Sequence, residues 1–486
     1  MCAPSPLDSV VVMTTSTAAS TSEHRRHWWE GATPTGSREF EPSPAGPTDE
    51  PGAAPPLHGS GPLLQTVRFA RDQGRALFEG VRRHGDVFRI DTLLEKRPLV
   101  ITSHPDHVKS LFTAGPSLAP STAGQSQLRP IVGESVLTVT GARHRRQRKL
   151  LMPPFHGKAI ARYREQILEA TTREIDGWQA GSRLRLADSA QQVTLDVIMS
   201  GVFGIDYRSG ESEQLLRKRI RQLLALSASP LARVSELMAM RRSQPVGLQK
   251  WGLAHLDRAI LAVIAERRSA HVPGERHDIL SLLLDARDDE GEALTDAELR
   301  NELLTLVLAG HETTANSIGW AFERLVRHPE AYGRLRDAAR TDDDGGYVDA
   351  TIHESMRVRP VIPVLGRRVM ANWRFGDAVV TEGSRVLIGV LTLHHRDDVY
   401  ADPFRFDPDR FVGVKPGSST WIPFGGGDRR CLGATLAMEE MRILTREIAR
   451  RTDLGAIASS PERPVHRNVT MIPGRGGAVE VCSVTP

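Results

Sequence analysis

Apolar residues recur at helical spacing along most of the chain and at strand spacing in parts of its last third. The run LLQTVRFARDQGRALFEGVRRHG (63–85) keeps a period near that of a helix and closes on glycine, which predicts one helix. DVFRI (86–90) and RPLVITS (97–103) read as strands, and PDHVKSLFT (105–113) as a helix. Residues 114–140, with Gly, Pro and Ser, read as a long loop. From Gly141 to about Arg340 the pattern is almost wholly helical. Beyond Pro360 it changes: RRVMANW, AVVTEG and SRVLIGVL predict short strands. A Pro- and aromatic-rich meander runs from His394 to Phe424, and one more helix follows Cys431. The C-terminal VTMIPG and AVEVCSV predict a hairpin. The expected fold class is mainly α with a small β part, and no internal repeat is present.

Residues 1–61 are rich in Pro, Ser, Thr, Gly and Ala and lack periodicity. They cannot bury enough apolar surface to offset ordering, so a disordered tail is expected there. The remainder, 62–486, is expected to form a single domain. With 40% hydrophobic and 25% charged residues in 486, the chain can build a core that encloses a large cofactor. A net charge of +4 is too small to argue for nucleic acid, and no such partner is expected. No run of 18 apolar residues occurs, so neither a spanning helix nor a membrane anchor is expected. The three cysteines, Cys2, Cys431 and Cys482, are odd in number and far apart. That gives no disulfide framework and fits a cytoplasmic location.

Two stretches break their own patterns. TDAELRNELLTLVLAGHETTANSIGWAFERLVRHP (295–329) predicts a long helix with a capping box at Thr295 and Glu298 and an end at Pro329. At about 1.5 Å per residue it is close to 50 Å long. Leu303, Leu304, Leu306, Val307 and Leu308 are apolar nearly all round, which marks burial. Yet Ala309, Gly310, His311, Glu312, Thr313 and Thr314 follow directly. Glycine costs about 1 kcal/mol against alanine in a helix interior, and buried carboxyl and hydroxyl groups cost more unless bonded. Thr313 and Thr314 can bond back to the carbonyls of Ala309 and Gly310. Ala309 and Gly310 leave room beside the backbone for something flat or small, although small residues at a helix crossing serve packing equally well.

The second stretch is FGGGDRRCLG (424–433), a lone cysteine framed by glycines and arginines. Its glycines permit tight turns and close backbone approach. The helix predicted after Gly433 turns its N-terminal amides toward the sulfur, which favours a thiolate. Arg429 can pair with an anionic group on whatever the sulfur binds, and Phe424 can shield it. A nucleophile, a redox thiol and a metal ligand all fit this description. Elsewhere Glu354 and Arg357 stand three residues apart on a predicted helix, a spacing usually seen in surface ion pairs. A second guanidinium from Arg410 in the meander would make a buried bidentate network instead. His394 and His395, without ligand spacing to a partner, read as structural.

The loop F-x-x-G-x-R-x-C-x-G resembles the heme-ligand loop of the cytochrome P450 family. Ala309, Gly310, Glu312 and Thr313 resemble that family's oxygen-activation helix, Glu354-x-x-Arg357 its E-x-x-R helix, and DPDRF its P-x-R-F segment, which places Arg410 in a triad with them. GARHRRQRKLLMPPFHG resembles the helix that touches a heme propionate, giving that role to His144 and Arg148. GRRV gives Arg368 the same role. The motifs come in the family's order and the resemblance runs from about residue 62 to the end. His144 stands where Trp is also found, and the acidic TDDDGGYV before the E-x-x-R helix departs from the pattern.

The resemblance implies a triangular helical prism with short sheets. Heme b would lie between the long helix and the Cys-loop helix, with Cys431 as axial iron ligand. His144, Arg148, Arg368, Arg429, Ala309, Gly310, Phe424 and Gly433 would line the cofactor. It implies a monooxygenase that inserts one atom of O2 into a small lipophilic substrate, with Thr313 holding the oxygen and Glu312 relaying protons. Residues 114–140, about 205–275, 361–365 and the segment near Val469 would line the pocket. With no flavin domain in the chain, electrons are expected from an acidic ferredoxin and its reductase. That donor would dock on a basic face made by Arg143, Arg145, Arg146, Arg148, Lys149 and Arg430. A peroxide-driven peroxygenase or another heme enzyme on the same fold is the alternative. A heme sensor and a cysteine hydrolase are weaker ones, because the Glu312–Thr313 pair suits proton delivery and no nucleophile elbow surrounds Cys431.

Overall fold

The computed structural model describes residues 39–485, apart from 60, 94, 96, 127, 156, 206–209, 228–247, 342–344 and 468. The predicted long helix forms over Asp296–Leu325, 30 residues. Its capping box is made: Glu298 N–H donates to Thr295 Oγ1 (3.2 Å), and Thr295 N–H donates to the Glu298 carboxylate (3.0 Å). The far end differs from expectation. The helix stops at Leu325, and Pro329 opens the next helix, Pro329–Ala339, where its missing N–H costs nothing.

Two separate cores grip this central helix. Leu299, Leu303, Leu304 and Val307 pack with Leu195, Ile198 and Phe203 of the helix Leu186–Phe203. Ala315, Ile318, Phe322 and Leu325 pack with Tyr332, Ile352, Leu444 and Ile448. Between the two cores Ala309 is exposed, although it sits in mid-helix inside the protein. A helix buried at both ends and open in the middle has its exposed surface turned to an internal cavity.

Among the described residues the strands are short and form four sheets. One has the order β2 (Val87–Ile90), β3 (Leu99–Thr102), β8 (Arg385–Gly389), β5 (Val364–Arg368). A second has β1 (Ala45–Pro47), β6 (Trp373–Phe375), β7 (Ala378–Val380), and a third β4 (Arg183–Arg185), β12 (Ala478–Val484), β9 (Thr452–Ala456). β10 (Pro464–Arg467) and β11 (Thr470–Pro473) pair alone. Among the described residues no helix is long and apolar enough to cross a membrane.

Four expectations need correction. Order begins before residue 62: Ala45–Pro47 pairs antiparallel with Trp373–Phe375, and Ser43 bonds Asp106 and His107. AGP has no strand signature of its own, because distant backbone partners supply the pairing; residues 1–38 of the expected tail lie outside the described residues. The single helix over 63–85 is two, α1 (Pro62–Arg71) and α2 (Gln73–His84), divided at Asp72, whose carboxylate accepts from Arg75 N–H at 3.0 Å. The loop over 114–140 contains helical turns at Gly115–Leu118, Thr122–Gln125 and Arg129–Val132. The C-terminal hairpin does not form: β11 pairs with β10, whereas β12 pairs with β4 and β9.

The meander is irregular and must be tied down by side chains. Arg357, on the helix Tyr347–Val358, clasps the Glu354 carboxylate with Nε (2.6 Å) and Nη2 (2.7 Å). It also donates to the carbonyls of His394 (2.7 Å), Pro403 (2.7 Å) and Arg405 (3.1 Å). Glu354 accepts from Asp407 N–H at 2.8 Å. Arg410 is the looser member. Its Nε lies 3.5 Å from Glu354 without a hydrogen bond, and its Nη2 donates instead to Asp402 O at 2.9 Å. Glu354 and Arg357 are both wholly buried. Removing one partner of such a pair costs about 3–5 kcal/mol, because the other charge is stranded. Arg357→Ala is therefore expected to lose about that much in urea unfolding and Arg410→Ala clearly less; equal losses would contradict this ranking.

Candidate functional site

A cavity of about 1470 Å³ lies where the central helix opens. Cys431 lines it, together with Phe424, Arg429 and Gly433 from the loop before the helix Ala434–Arg451. Ala309, Gly310, Glu312 and Thr313 line it from the central helix, and His144 and Arg148 from the helix Gly141–Leu151. Glu354, Arg357 and Arg410 do not; they hold the meander behind it. Of the wall expected near 205–275, Arg221 and Leu223 line the cavity, while 206–209 and 228–247 lie outside the described residues.

The Cys loop keeps its shape through close contact. Gly427 has φ +62°, and a Cβ there would stand 2.5 Å from Phe112 O, so only glycine fits. Cys431 N–H donates to Phe424 O at 2.9 Å. The Cys431 side chain is exposed by area although it sits deep in the protein, so its open face is the cavity. Burial pushes the thiol up; the Gly433 N–H and the Arg148 and Arg430 guanidiniums pull the other way. The amides expected to favour a thiolate do act, but desolvation outweighs them.

One expected cofactor contact is out of register. Arg368 does not line the cavity; it donates to Gly383 O at 2.6 Å. Arg367, one residue earlier, lines it and is buried. Side chains alternate along β5, so a shift of one position exchanges the two faces. The double arginine could not disclose which faced inward. Arg367, Arg148 and Arg429 thus stand with His144 on one cavity, and none of the three arginines forms an ion pair among the described residues. Burial lowers Arg367 and Arg429 to about 10 and His144 to about 4. Arg429 donates to the carbonyls of Val136 and Val139.

The acidic side of the cavity is more elaborate than the sequence implied. Thr313 Oγ1 donates to Ala309 O at 2.7 Å, the expected back-bond. Thr314 instead meets the Glu440 carboxyl of the C-terminal helix. Glu440 is buried and pushed up to about 8 by desolvation. Glu312 is raised by burial, and Arg467 of β10, 3.1 Å away, holds it back. Neither Glu440 nor Arg467 had a local sequence signal, because tertiary packing alone brings them here.

The basic helix is not a bare positive face. Arg143 pairs with Glu134, Lys149 with Asp289, and Arg146 with Asp288 (2.5 Å) and Glu298 (3.1 Å). Arg148 turns inward to the cavity. Arg145 and Arg430 remain exposed.

An exposed sulfur inside the protein, three guanidiniums without carboxylate partners and a small-residue opening in the helix fit a flat, dianionic group with a metal at its centre. They suit an iron porphyrin held through Cys431, with its carboxylates toward Arg148, Arg367, Arg429 and His144.

Comparison with known proteins agrees. The family model described as cytochrome P450 matches residues 51–477. The chain is 36% identical over 446 residues to cytochrome P450 135B1 of Mycobacterium tuberculosis, covering 88% of this chain and 90% of that protein. It is 35% identical over 430 residues to cytochrome P450 138 of Mycobacterium bovis, covering 87% and 95%. A solved structure of the cyanobacterial CYP120A1 bound to retinoic acid superposes with a TM-score of 0.74 at 22% identity, covering 89% of this chain and all of that one.

Behind the cavity, Glu302 on the central helix is buried and accepts from Val136 N–H at 2.9 Å, which fastens the loop that receives Arg429. Desolvation raises its carboxyl to about 8. An acid raised on folding keeps its proton when the unfolded chain has lost it, so its contribution to stability falls as pH rises from the ordinary carboxylate range to about 8. Glu302→Gln is therefore expected to gain in melting temperature relative to wild type as pH increases across that window; a constant difference would refute the assignment.

Proposed function

The chain belongs to the cytochrome P450 family, an oxidoreductase of the monooxygenase class, and from that premise we propose that it inserts one oxygen atom into a fatty acid, terpenoid or similar lipophilic molecule. The observation that carries this reading is one cavity that presents the Cys431 sulfur, the Glu312–Thr313 pair and a largely apolar wall. Leu195, Ile198, Val202, Leu306, Leu308 and Val361 belong to that wall and would exclude water from a bound hydrocarbon.

Heme b is the cofactor we assign. When bound it supplies dioxygen binding and O–O cleavage, which a thiolate ligand favours. Cys431 gives that ligand, and the loop glycines let the backbone come close. Arg148, Arg367, Arg429 and His144 neutralise and orient the carboxylates. Thr313 spends its hydroxyl proton on Ala309 O, so its oxygen is left as an acceptor for a bound water. Glu312 exchanges a proton at its carboxylate, where burial favours the neutral form and Arg467 the charged one. The electron donor is an acidic ferredoxin reduced through NAD(P)H in the cytoplasm. Since carboxylates already pair with Arg143, Arg146 and Lys149, the donor would engage Arg145 and Arg430.

Titrating holoenzyme with fatty acids, terpenes, steroids and aromatics while following the heme spin state tests the substrate class; no response to any of them would overturn it. Cys431→Ser is expected to abolish the thiolate signature in the carbon-monoxide difference spectrum of reduced protein. Arg367→Leu is expected to lower heme retained per chain and Arg368→Leu to leave it unchanged; the reverse would restore the original register. Glu312→Gln is expected to lower kcat by about 100-fold or more with the substrate-induced spectral change preserved.

A further inference from the structure

Away from the main cavity, a recess of about 900 Å³ lies between α1, α2 and the start of β10. Six arginines line it: Arg68, Arg71, Arg75, Arg82, Arg83 and Arg463. Only Asp72 and Glu79 oppose them. The local excess of four positive charges equals the formal excess of the whole chain, +4. Both carboxylates are already engaged. Glu79 pairs with Arg75 at 2.7 Å, and Asp72 caps α2. The other five arginines form no ion pair among the described residues, and all five are exposed.

Two of the lining side chains are uncharged and more than nine-tenths buried, His58 and Gln65. Gln65 Oε1 accepts from Asp91 N–H at 2.8 Å, which fixes the amide so that its NH2 group is left over as a donor. That nitrogen, Gln65 Nε2, has no partner, nor has His58 Nδ1. Burial lowers the His58 pKa, and His84 and Arg83 add to the effect. Like charges gathered this closely repel, and buried donors without acceptors cost free energy. An anion relieves both penalties. Planar, bidentate guanidiniums on several sides match the tetrahedral oxygens of phosphate better than a point charge.

We propose that this recess binds a ligand carrying two or more phosphate groups. The chemistry is the same for a phospholipid headgroup array and for a soluble phosphate ester. Leu63, Leu64 and Val67 are exposed on α1 itself, beside the recess, which makes the lipid source the first to test.

The test uses heme-loaded, full-length protein. Inorganic tripolyphosphate is titrated by calorimetry into wild type, into the triple variant Arg68→Ser, Arg82→Ser, Arg463→Ser, and into a control triple variant, Arg162→Ser, Arg258→Ser, Arg340→Ser. The control removes equal charge elsewhere on the surface. Binding is expected in wild type, weaker by about tenfold or more in the recess variant and unchanged in the control. Unaltered melting temperature and carbon-monoxide spectrum of the recess variant separate this result from misfolding and from any failure of the monooxygenase reading. Cosedimentation follows with vesicles of equal parts phosphatidylglycerol and phosphatidylcholine, against phosphatidylcholine alone. Pelleting with the anionic vesicles that tripolyphosphate reverses supports the lipid headgroup as source. Tripolyphosphate binding without pelleting supports a soluble phosphate ester. No binding of either probe, or equal weakening in both triple variants, overturns the proposal.

Discussion

A carboxylate and a guanidinium with no access to water hold the irregular part of this protein in place. Glu354 and Arg357 satisfy each other, and their remaining valences reach out to the meander at His394, Pro403, Arg405 and Asp407. The chain of bonds continues. His394 receives Ile422 N–H at 2.9 Å on one ring nitrogen and meets Arg357 O with the other, so it is neutral, and burial lowers it to about 3. Trp421 donates to His353 O at 3.0 Å. Phe424 follows three residues later and accepts from Cys431 N–H. The position of the sulfur therefore depends on a pair of charges that never contacts the cavity.

The cavity itself is a division of charge. Three guanidiniums, their charge disfavoured by burial, and a histidine that burial keeps neutral surround the Cys loop. On the central helix and its neighbours stand carboxyls raised by the same desolvation, with Arg467 at hydrogen-bond distance from Glu312 and Thr314 bonded to Glu440. A site arranged this way holds unfavourable charge in readiness for a bound group of opposite sign. The folding free energy for this comes from the two apolar cores that clamp the central helix on either side of its opening. The arginine recess beside α1 follows the same logic at the surface, with repulsion left unrelieved.

The legible parts of the sequence were those whose chemistry is local. A capping box, a helix apolar all round, a glycine-framed cysteine and an i, i+3 acid–base pair each show themselves within a few residues. Threonine 313 made the back-bond its spacing implies. Interactions across the chain left no such trace. AGP became a strand through a partner supplied by Trp373–Phe375, and the last two strands separated into different sheets. Arg143, Arg146 and Lys149 are spaced as a basic face, but Glu134, Asp288, Asp289 and Glu298 fold against them.

By itself, then, the amino-acid order determined that the long central helix forms, that a sulfur would be presented in a tight loop, and which polar groups interrupt a buried helix, because backbone propensity and side-chain spacing act over single turns. Only the tertiary structure decided that Arg367 and not Arg368 turns inward, that Arg467 and Glu440 join the acidic side, and where free positive charge remains. Strand register and ion pairing are settled by packing between residues far apart in the chain, where one position or one neighbour reverses the outcome.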